Sequence, residues 1–282
     1  MRIFTSILIL IVLFTSCKTD QSTKNIGKST SQWVYDSTIK LDGINPIGIA
    51  IYGNTFILSD GDHNRIVYVS EQGELLREIA DYERPMHIDY GKGNNGMQLL
   101  VPEYGRDSIA IMTGKKRDYI RFKDSLDAPG AASISGNMIA IADFYNNRIL
   151  VKNGDEEFSF GKEGKNDGEF YYPTDVQIKE DRIYVADAYN NRGQVFDLNG
   201  KFIAKFAQND SLNAATGIFK SEKNIFLTDF ENDRILVYNN DYQKLQSLKE
   251  AVHKPTDVIT VGDSLLYVTN YRKGQIVKYV KN

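Results

Sequence analysis

The sequence predicts an all-β fold built from six similar units. One order of motifs recurs six times: an apolar segment led by proline, a second short apolar segment, an acidic residue that opens a turn, and an arginine followed by apolar residues. The leading segments begin 39 to 44 residues apart, at Pro46, Pro85, Pro129, Pro173, Ala215 and Pro255. A period of roughly 40–45 residues made of short strands is typical of a β-propeller, with one blade per repeat. We therefore expect a six-bladed β-propeller.

The turn motif is the clearest part of each repeat. Four copies read SDGDHNRIVYV (residues 59–69), ADFYNNRILV (142–151), ADAYNNRGQVF (186–196) and TDFENDRILVY (228–238). Two weaker copies are PEYGRDSIAI (102–111) and TNYRKGQIVKY (269–279). Within the first repeat, Gly53-Asn54 and Gln72-Gly73 separate the apolar segments, as tight hairpins require. Each repeat therefore reads as four antiparallel strands.

The last repeat supplies only three strands, at residues 257–261, 265–269 and 275–280. An apolar segment at residues 32–41 precedes the first repeat, and we expect Trp33, Tyr35 and Ile39 on one of its faces. Pairing this segment with the last repeat would complete the final blade and leave no open edge at the seam. We expect the ring to close in this way and the chain to be a monomer.

These motifs resemble those of NHL-repeat propellers, and the resemblance covers the chain after Ser31. Its most specific stretch is FGKEGKNDGEFYYPTDVQI (residues 160–178), which is similar to the connector that leads into the next blade. The Trp-Asp pairs of WD40 blades and the Gly-Gly doublets of kelch blades do not occur. The resemblance implies a platform that binds a partner. It also admits an enzyme, because amidating lyases of this kind bind zinc through histidines on separate blades.

The N-terminus predicts export. Arg2 precedes an apolar run at residues 3–14 that is too short to span a bilayer, and Cys17 follows it. Residues 1–17 resemble a bacterial lipoprotein signal that ends at a lipidated Cys17; an ordinary secretory signal with a chance cysteine is the alternative. Residues 18–31 are polar and predict a flexible tether before a propeller at residues 32–282. We expect a lipid-anchored, extracytoplasmic protein of the cell envelope, at the outer membrane or cell surface in a Gram-negative bacterium.

Composition narrows the function further. The formal net charge is −3 and no basic block occurs, so we expect no nucleic-acid partner. Cys17 is the one cysteine, which excludes disulfides within the propeller. Metalloprotease (HExxH), nucleophile-elbow (GxSxG) and P-loop patterns do not occur. We therefore expect a binding module rather than an enzyme, with no cofactor.

The turn motifs and the segments leading into the first strands should meet at one end of the ring, which we call the motif face. Aromatic residues follow the turn's first polar position in most repeats, and such side chains suit recognition of a protein, peptide or glycan. Packing between blades is the competing explanation. The candidate ligand-binding residues are Tyr104, Phe144, Tyr145, Tyr189, Phe230 and Tyr271.

A second candidate site lies at the channel mouth. Two residues after their leading prolines stand His87, Asp175 and Asp257, and one imidazole with two carboxylates suits a divalent metal such as zinc or calcium. Under this alternative the protein is a metal-dependent lyase or hydrolase. The competing explanation is that the aspartates shape the turn into the first strand.

The acidic residue and the arginine of the turn motif also have two interpretations. They are either ligand-binding ion pairs or pairs that stabilise the turn. Because they recur in blades that cannot all touch one ligand, the second interpretation is favoured. The residues are Asp60, Asp143, Asp187 and Asp229, with Arg65, Arg148, Arg192 and Arg234 five positions later.

Overall fold

The computed structural model describes residues 32–282, which form twenty-four strands in six four-stranded antiparallel sheets. The predicted signal segment, Cys17 and the tether lie outside the described residues. The first strand along the chain is β1 (Trp33–Lys40). Blade 1 consists of β2 (Ile49–Tyr52), β3 (Thr55–Asp60), β4 (Arg65–Ser70) and β5 (Leu75–Ile79). Blade 2 consists of β6 (Asp89–Gly93), β7 (Gly96–Glu103), β8 (Ser108–Thr113) and β9 (Lys116–Tyr119).

The remaining blades repeat this order of strands. Blade 3 consists of β10 (Pro129–Ser135), β11 (Met138–Asp143), β12 (Arg148–Asn153) and β13 (Glu156–Phe160). Blade 4 consists of β14 (Pro173–Lys179), β15 (Arg182–Asp187), β16 (Arg192–Asp197) and β17 (Phe202–Phe206). Blade 5 consists of β18 (Ile218–Lys220), β19 (Ile225–Asp229), β20 (Arg234–Tyr238) and β21 (Lys244–Leu248). Blade 6 contains β22 (Pro255–Val261), β23 (Leu265–Asn270) and β24 (Gln275–Lys281).

The strand β1 completes blade 6, as predicted. It pairs antiparallel with β24, from Trp33 opposite Lys281 to Lys40 opposite Gln275. The blade therefore takes its outer strand from the start of the described residues and its three inner strands from the end of the chain. The six-bladed fold class is confirmed.

One detail of β1 was predicted wrongly. Trp33 and Tyr35 pack between blades 5 and 6, but Ile39 packs between blades 6 and 1. A β-bulge between Tyr35 and Ser37 shifts the register by one residue. Because side chains alternate along a strand, one extra residue turns Ile39 to the opposite face.

The hydrophobic core is divided among the junctions between neighbouring blades. At the junction of blades 6 and 1, for example, Tyr267 packs edge-on against Phe56, with 4.8 Å between ring centroids. Each blade is covered on both faces by its neighbours, so its central strands carry nearly continuous apolar sequence. Three short 3-10 turns, Gly61–His63, Ala188–Asn190 and Tyr271–Lys273, connect second strands to third strands. Within residues 32–282, helices of a length and apolar character suited to crossing a bilayer are absent.

Candidate functional site: an aromatic patch and a channel cluster

The motif face forms as predicted. Within single blades, backbone hydrogen bonds join the turn motif to the segment that leads into the first strand. The amide of Tyr104 donates to the carbonyl of Arg84 in blade 2, and Tyr189 donates to Tyr171 in blade 4. The turn between the second and third strands is thereby tied to the segment that leads into the first strand. Aromatic residues from both segments consequently lie at the same end of the ring.

The acidic residues of the turn motif stabilise the turn. Asp187 is fully buried; it accepts a hydrogen bond from the amide of Tyr171 at 2.8 Å and another from Arg192 Nε at 2.8 Å. Arg192 in turn donates to the carbonyls of Lys165 and Asn166. Burial raises the pKa of Asp187, against the opposing effect of these hydrogen bonds and of Arg192.

The same arrangement recurs around the ring. Asp60, Asp143 and Asp229 are likewise fully buried, and each accepts from the arginine five positions later. In the weaker copies Glu103 accepts from the amide of Glu83, and Asn270 accepts from the amide of His253. These side chains are occupied by their own loops, which supports the turn-stabilising interpretation over a ring of ligand-binding ion pairs.

Four of the six predicted aromatic residues come together in one patch that spans blades 2, 3 and 4. The hydroxyl of Tyr104 donates to the hydroxyl of Tyr145 at 2.7 Å. Phe144 contacts both rings, with centroids 6.0 Å from Tyr104 and 5.0 Å from Tyr145. Tyr189 joins the patch through Tyr172, at 5.2 Å. Burial, together with the hydrogen bond to Tyr145, raises the pKa of Tyr104 to about 12.

Two members of the patch were missed from the sequence. Tyr172 stacks on Phe144, with 4.8 Å between centroids and 14° between planes, and Tyr171 stacks on Tyr172 at 4.6 Å. Both precede Pro173 in the segment that leads into blade 4, whereas the prediction considered only the turns. The doubled tyrosine before a repeat proline was the available signal. We call the six residues Tyr104, Phe144, Tyr145, Tyr171, Tyr172 and Tyr189 the aromatic patch.

The other two predicted aromatic residues lie apart from the patch. Phe230 carries the ammonium of Lys254 over its ring, with Nζ 5.3 Å from the centroid. The hydroxyl of Tyr271 donates to Asp62 at 2.7 Å. The motif face is therefore asymmetric, because among its described residues only those of blades 2 to 4 bring aromatic rings into contact with one another. A charged group also lies over one ring of that set, since the guanidinium of Arg84 is 5.1 Å from the centroid of Tyr104.

The structure brings His87, Asp175 and Asp257 together at the centre of the ring. Nδ1 of His87 lies 3.6 Å from Oδ2 of Asp257 and 3.9 Å from Oδ2 of Asp175. All three residues are buried, and one ligand atom from each lies within 4.8 Å of the others. We call these three residues the channel cluster.

Burial and mutual charge set the protonation of the channel cluster. Burial raises the pKa of Asp175 to about 7, although the neighbouring His87 opposes the shift. For His87, burial alone would lower the pKa, but the charge of Asp175 and the close approach of Asp257 outweigh it and raise the pKa. At 3.6 Å the contact with Asp257 is longer than a hydrogen bond, so it acts through charge. The arrangement thus holds one imidazole between two carboxylates in a water-poor setting.

Alternation of large and small residues makes this convergence possible. The channel cluster comes from blades 2, 4 and 6, and the equivalent positions of blades 1, 3 and 5 are Gly48, Ala131 and Gly217. A Cβ on Gly48 would lie 2.7 Å from the carbonyl oxygen of Met86, and one on Gly217 would lie 2.4 Å from that of Thr256. Glycine therefore lets blades 1 and 5 approach the backbone of the next blade.

A cavity of about 80 Å³ lies in the channel, and Asp175 and Asp257 of the cluster line it. Asp89 lines it as well and was missed from the sequence. Its Oδ2 accepts hydrogen bonds from Ser133 Oγ at 2.9 Å and from the amide of Ile134 at 2.8 Å. Burial raises the pKa of Asp89, although these hydrogen bonds oppose the shift.

Known proteins are similar to this chain in sequence. The chain is 34% identical over 163 residues to NHL repeat-containing protein 2 of Bos taurus and 48% identical over 48 residues to protein lin-41 of Caenorhabditis elegans. The chain is a six-bladed β-propeller, and it is similar in sequence to NHL-repeat proteins. The two alignments cover 47% and 17% of this chain, and they span 22% and 4% of the respective relatives. No protein-family model matches the chain.

Solved structures show the same fold. The propeller superposes on a catalytically inactive virginiamycin B lyase from Staphylococcus aureus with quinupristin, with a TM-score of 0.65 over 88% of this chain and 85% of the lyase, at 16% identity. A streptogramin B lyase gives a TM-score of 0.64 over 89% of this chain and 97% of that protein, at 13% identity. At such low identity the likeness concerns the fold alone.

Proposed function

We propose that this propeller is a binding module that captures a protein or peptide partner on the aromatic patch. The observation that carries the proposal is the continuous contact of six aromatic rings across three blades. Two of these rings remain open to solvent, because Tyr145 is 48% exposed and Tyr189 is 60% exposed. Large, rigid side chains with a polar tip give much contact area for little lost conformational entropy, so tyrosine is enriched at interfaces.

The neighbours of the two exposed rings hold them in place. Tyr145 accepts the hydrogen bond from Tyr104 and packs perpendicular to Tyr172, and Tyr189 packs against Tyr171 and Tyr172. A partner that lands on prearranged rings loses less of its binding energy to ordering them. Tyrosine faces also stack on sugar rings, which makes a glycan the alternative ligand at the same patch.

A metal-dependent lyase or hydrolase is the second candidate, and the geometry of the channel cluster favours it. Size argues against it. Pockets for small molecules usually measure roughly 300–1,000 Å³, and the cavity beside the cluster measures about 80 Å³. His87, Asp175 and Asp257 are themselves buried, so a substrate has little access to them. We favour the binding module for this reason.

Partner capture should depend on the exposed rings. Replacing Tyr145 and Tyr189 together by alanine removes both exposed rings and leaves the strands unchanged. We expect partner affinity to fall by at least about 30-fold, because one hot-spot aromatic residue contributes about 2 kcal/mol or more and 1.4 kcal/mol corresponds to a factor of ten. The measurement is affinity capture from an envelope extract of the source organism, followed by titration of the captured protein against purified variants.

A matched control uses exposed tyrosines outside the patch. Tyr52 and Tyr119 are 60% and 42% exposed, and their double alanine variant should bind as the wild type does. Equal losses in the two double variants would contradict the proposed site. Binding that persists after the captured partner is deglycosylated supports a protein ligand. Loss of binding after deglycosylation would support the glycan alternative.

We also propose that lipid on Cys17 holds the binding module at the cell envelope. The arrangement of Arg2, the apolar run and Cys17 supports this proposal. A single acyl chain binds membranes only marginally, at about 0.8 kcal/mol per buried CH₂ group, whereas two or more chains give stable anchoring.

The anchor should therefore depend on this one cysteine. In Cys17→Ser we expect the protein either to leave the membrane fraction or to keep its uncleaved signal segment. The measurement is membrane fractionation with mass spectrometry of the mature N-terminus, and Ser16→Ala serves as the neighbouring control. A correctly processed Cys17→Ser protein that stays in the membrane fraction would rule out the anchor.

A further inference from the structure

The channel cluster contains a buried nitrogen that faces two carboxylates but makes no hydrogen bond to the described residues. Side-chain Nδ1 of His87 makes no hydrogen bond within residues 32–282, although the residue is only 4% exposed. A buried polar atom without a hydrogen bond destabilises the folded state. This atom faces Oδ2 of Asp257 and Oδ2 of Asp175, the two nearest carboxylate oxygens of blades 6 and 4. An ion placed between the three side chains would give this nitrogen a bonding partner.

We propose that His87, Asp175 and Asp257 bind one divalent transition-metal ion such as zinc. This ion would connect blades 2, 4 and 6 at the centre of the ring. The role is structural and is independent of partner binding at the aromatic patch. The site would link three blades that are not adjacent in the ring, which contacts between neighbouring blades cannot do.

The spacing of the donor atoms fits such an ion. Zinc binds nitrogen and oxygen at about 2.0–2.2 Å, which places two donors of a tetrahedral site about 3.4 Å apart. The observed separations from Nδ1 are 3.6 and 3.9 Å. All three donor atoms lie within 4.8 Å of one another, so the two carboxylates have to move toward Nδ1 and toward each other to share one ion. The adjacent cavity has room for water, which can complete the coordination.

The donor types select the class of metal. Calcium takes six to eight oxygen donors and magnesium keeps several waters, so a buried site with one imidazole and two carboxylates suits neither. Imidazole and carboxylate together suit zinc and its first-row neighbours. Two carboxylates also balance the charge of a dication, which lowers the cost of burying it.

Backbone amides orient both carboxylates toward the ion. Oδ2 of Asp175 accepts from the amide of Ile218 at 2.7 Å, and Oδ2 of Asp257 accepts from the amide of Ile49 at 2.9 Å. Each of these donors belongs to the next blade of the ring. Such outer partners fix the direction of a ligand's remaining lone pair and are typical of built metal sites.

Metal analysis of the full-length protein tests the proposal. Protein purified without added metal should contain close to one zinc or related ion per chain. Chelation should lower the melting temperature, and added zinc should restore it by about 5 °C or more, since a ligand at 100 times its dissociation constant stabilises by about 2.7 kcal/mol. Wild-type protein that holds no ion and gains no stability from zinc would overturn the proposal.

Variants assign the ion to the cluster. His87→Ala and Asp257→Asn should lose the ion and the response to zinc. His253→Ala is the control, because it removes a histidine of the motif face that lies 3.5 Å from Asp233. This variant should keep both the ion and the response to zinc. Retention of the ion by folded His87→Ala would overturn the assignment. Should that variant fail to fold, the proton NMR spectrum of the cobalt-substituted wild type decides: the absence of hyperfine-shifted imidazole resonances would equally overturn it.

Discussion

Removing residues 1–41 should destabilise the propeller far more than removing residues 1–31. The longer deletion takes away β1 and exposes the edge of β24, its partner strand. It also removes Trp33, which is 3% exposed and packs against Phe226 with 5.5 Å between ring centroids. Loss of a buried tryptophan alone costs about 3–5 kcal/mol. We expect the melting temperature to fall by at least about 10 °C, or the deletion variant not to fold.

Further contacts tie β1 to the neighbouring blade. The side chain of Gln246 in blade 5 accepts from the amide of Trp33 at 3.0 Å and donates to its carbonyl at 2.7 Å. Calorimetry of the two deletion variants measures the contribution of the whole strand, and Trp33→Ala isolates that of the ring. Equal melting temperatures for the two deletion variants would show that the shared blade does not stabilise the closed ring.

Asp187→Ala should be among the most destabilising single substitutions in blade 4. It leaves Arg192, which is 4% exposed, without its carboxylate and leaves the amide of Tyr171 without an acceptor. Removing one partner of a buried ion pair costs about 3–5 kcal/mol. Since such a domain is stable by only about 5–15 kcal/mol, the loss is a large part of the total. Denaturant titration at constant temperature measures it.

The matched control is an ion pair at the surface. Asp118→Ala breaks the contact between Asp118 and Lys116, whose side chains are 54% and 75% exposed. Exposed pairs contribute about 0–1 kcal/mol, so this variant should unfold close to the wild type. If Asp187→Ala were as stable as Asp118→Ala but lost partner binding, the turn motif would have to be a ligand site after all.

The architecture was predictable because it depends on local patterns that repeat. Short apolar segments separated by turn residues define strands, and a constant spacing of such units defines blades. The closing strand was predictable for a related reason: a blade with three strands needs a fourth. The bulge at residues 35–37 was not predictable, because one extra residue in a strand depends on how the strand fits its partner.

The candidate sites likewise differ in whether a repeated pattern reveals them. His87, Asp175 and Asp257 could be found from the sequence because they occupy equivalent positions in the repeat. Tyr171 and Tyr172 could not be found by that route, since they lie in a segment where the other repeats carry different residues. Repetition identifies residues that share a position, whereas a patch assembled from unlike positions appears only when the blades are placed side by side.

The sequence by itself determined the number of blades, their order, the closing strand and the buried turn motif, since each follows from a local pattern repeated along the chain. The tertiary structure decided which aromatic rings touch, which are engaged by Lys254 and Asp62, and which polar side chains meet in the channel. These outcomes depend on distances between residues far apart in the chain. Such distances are set by the curvature of the ring and by the small residues that let alternate blades approach.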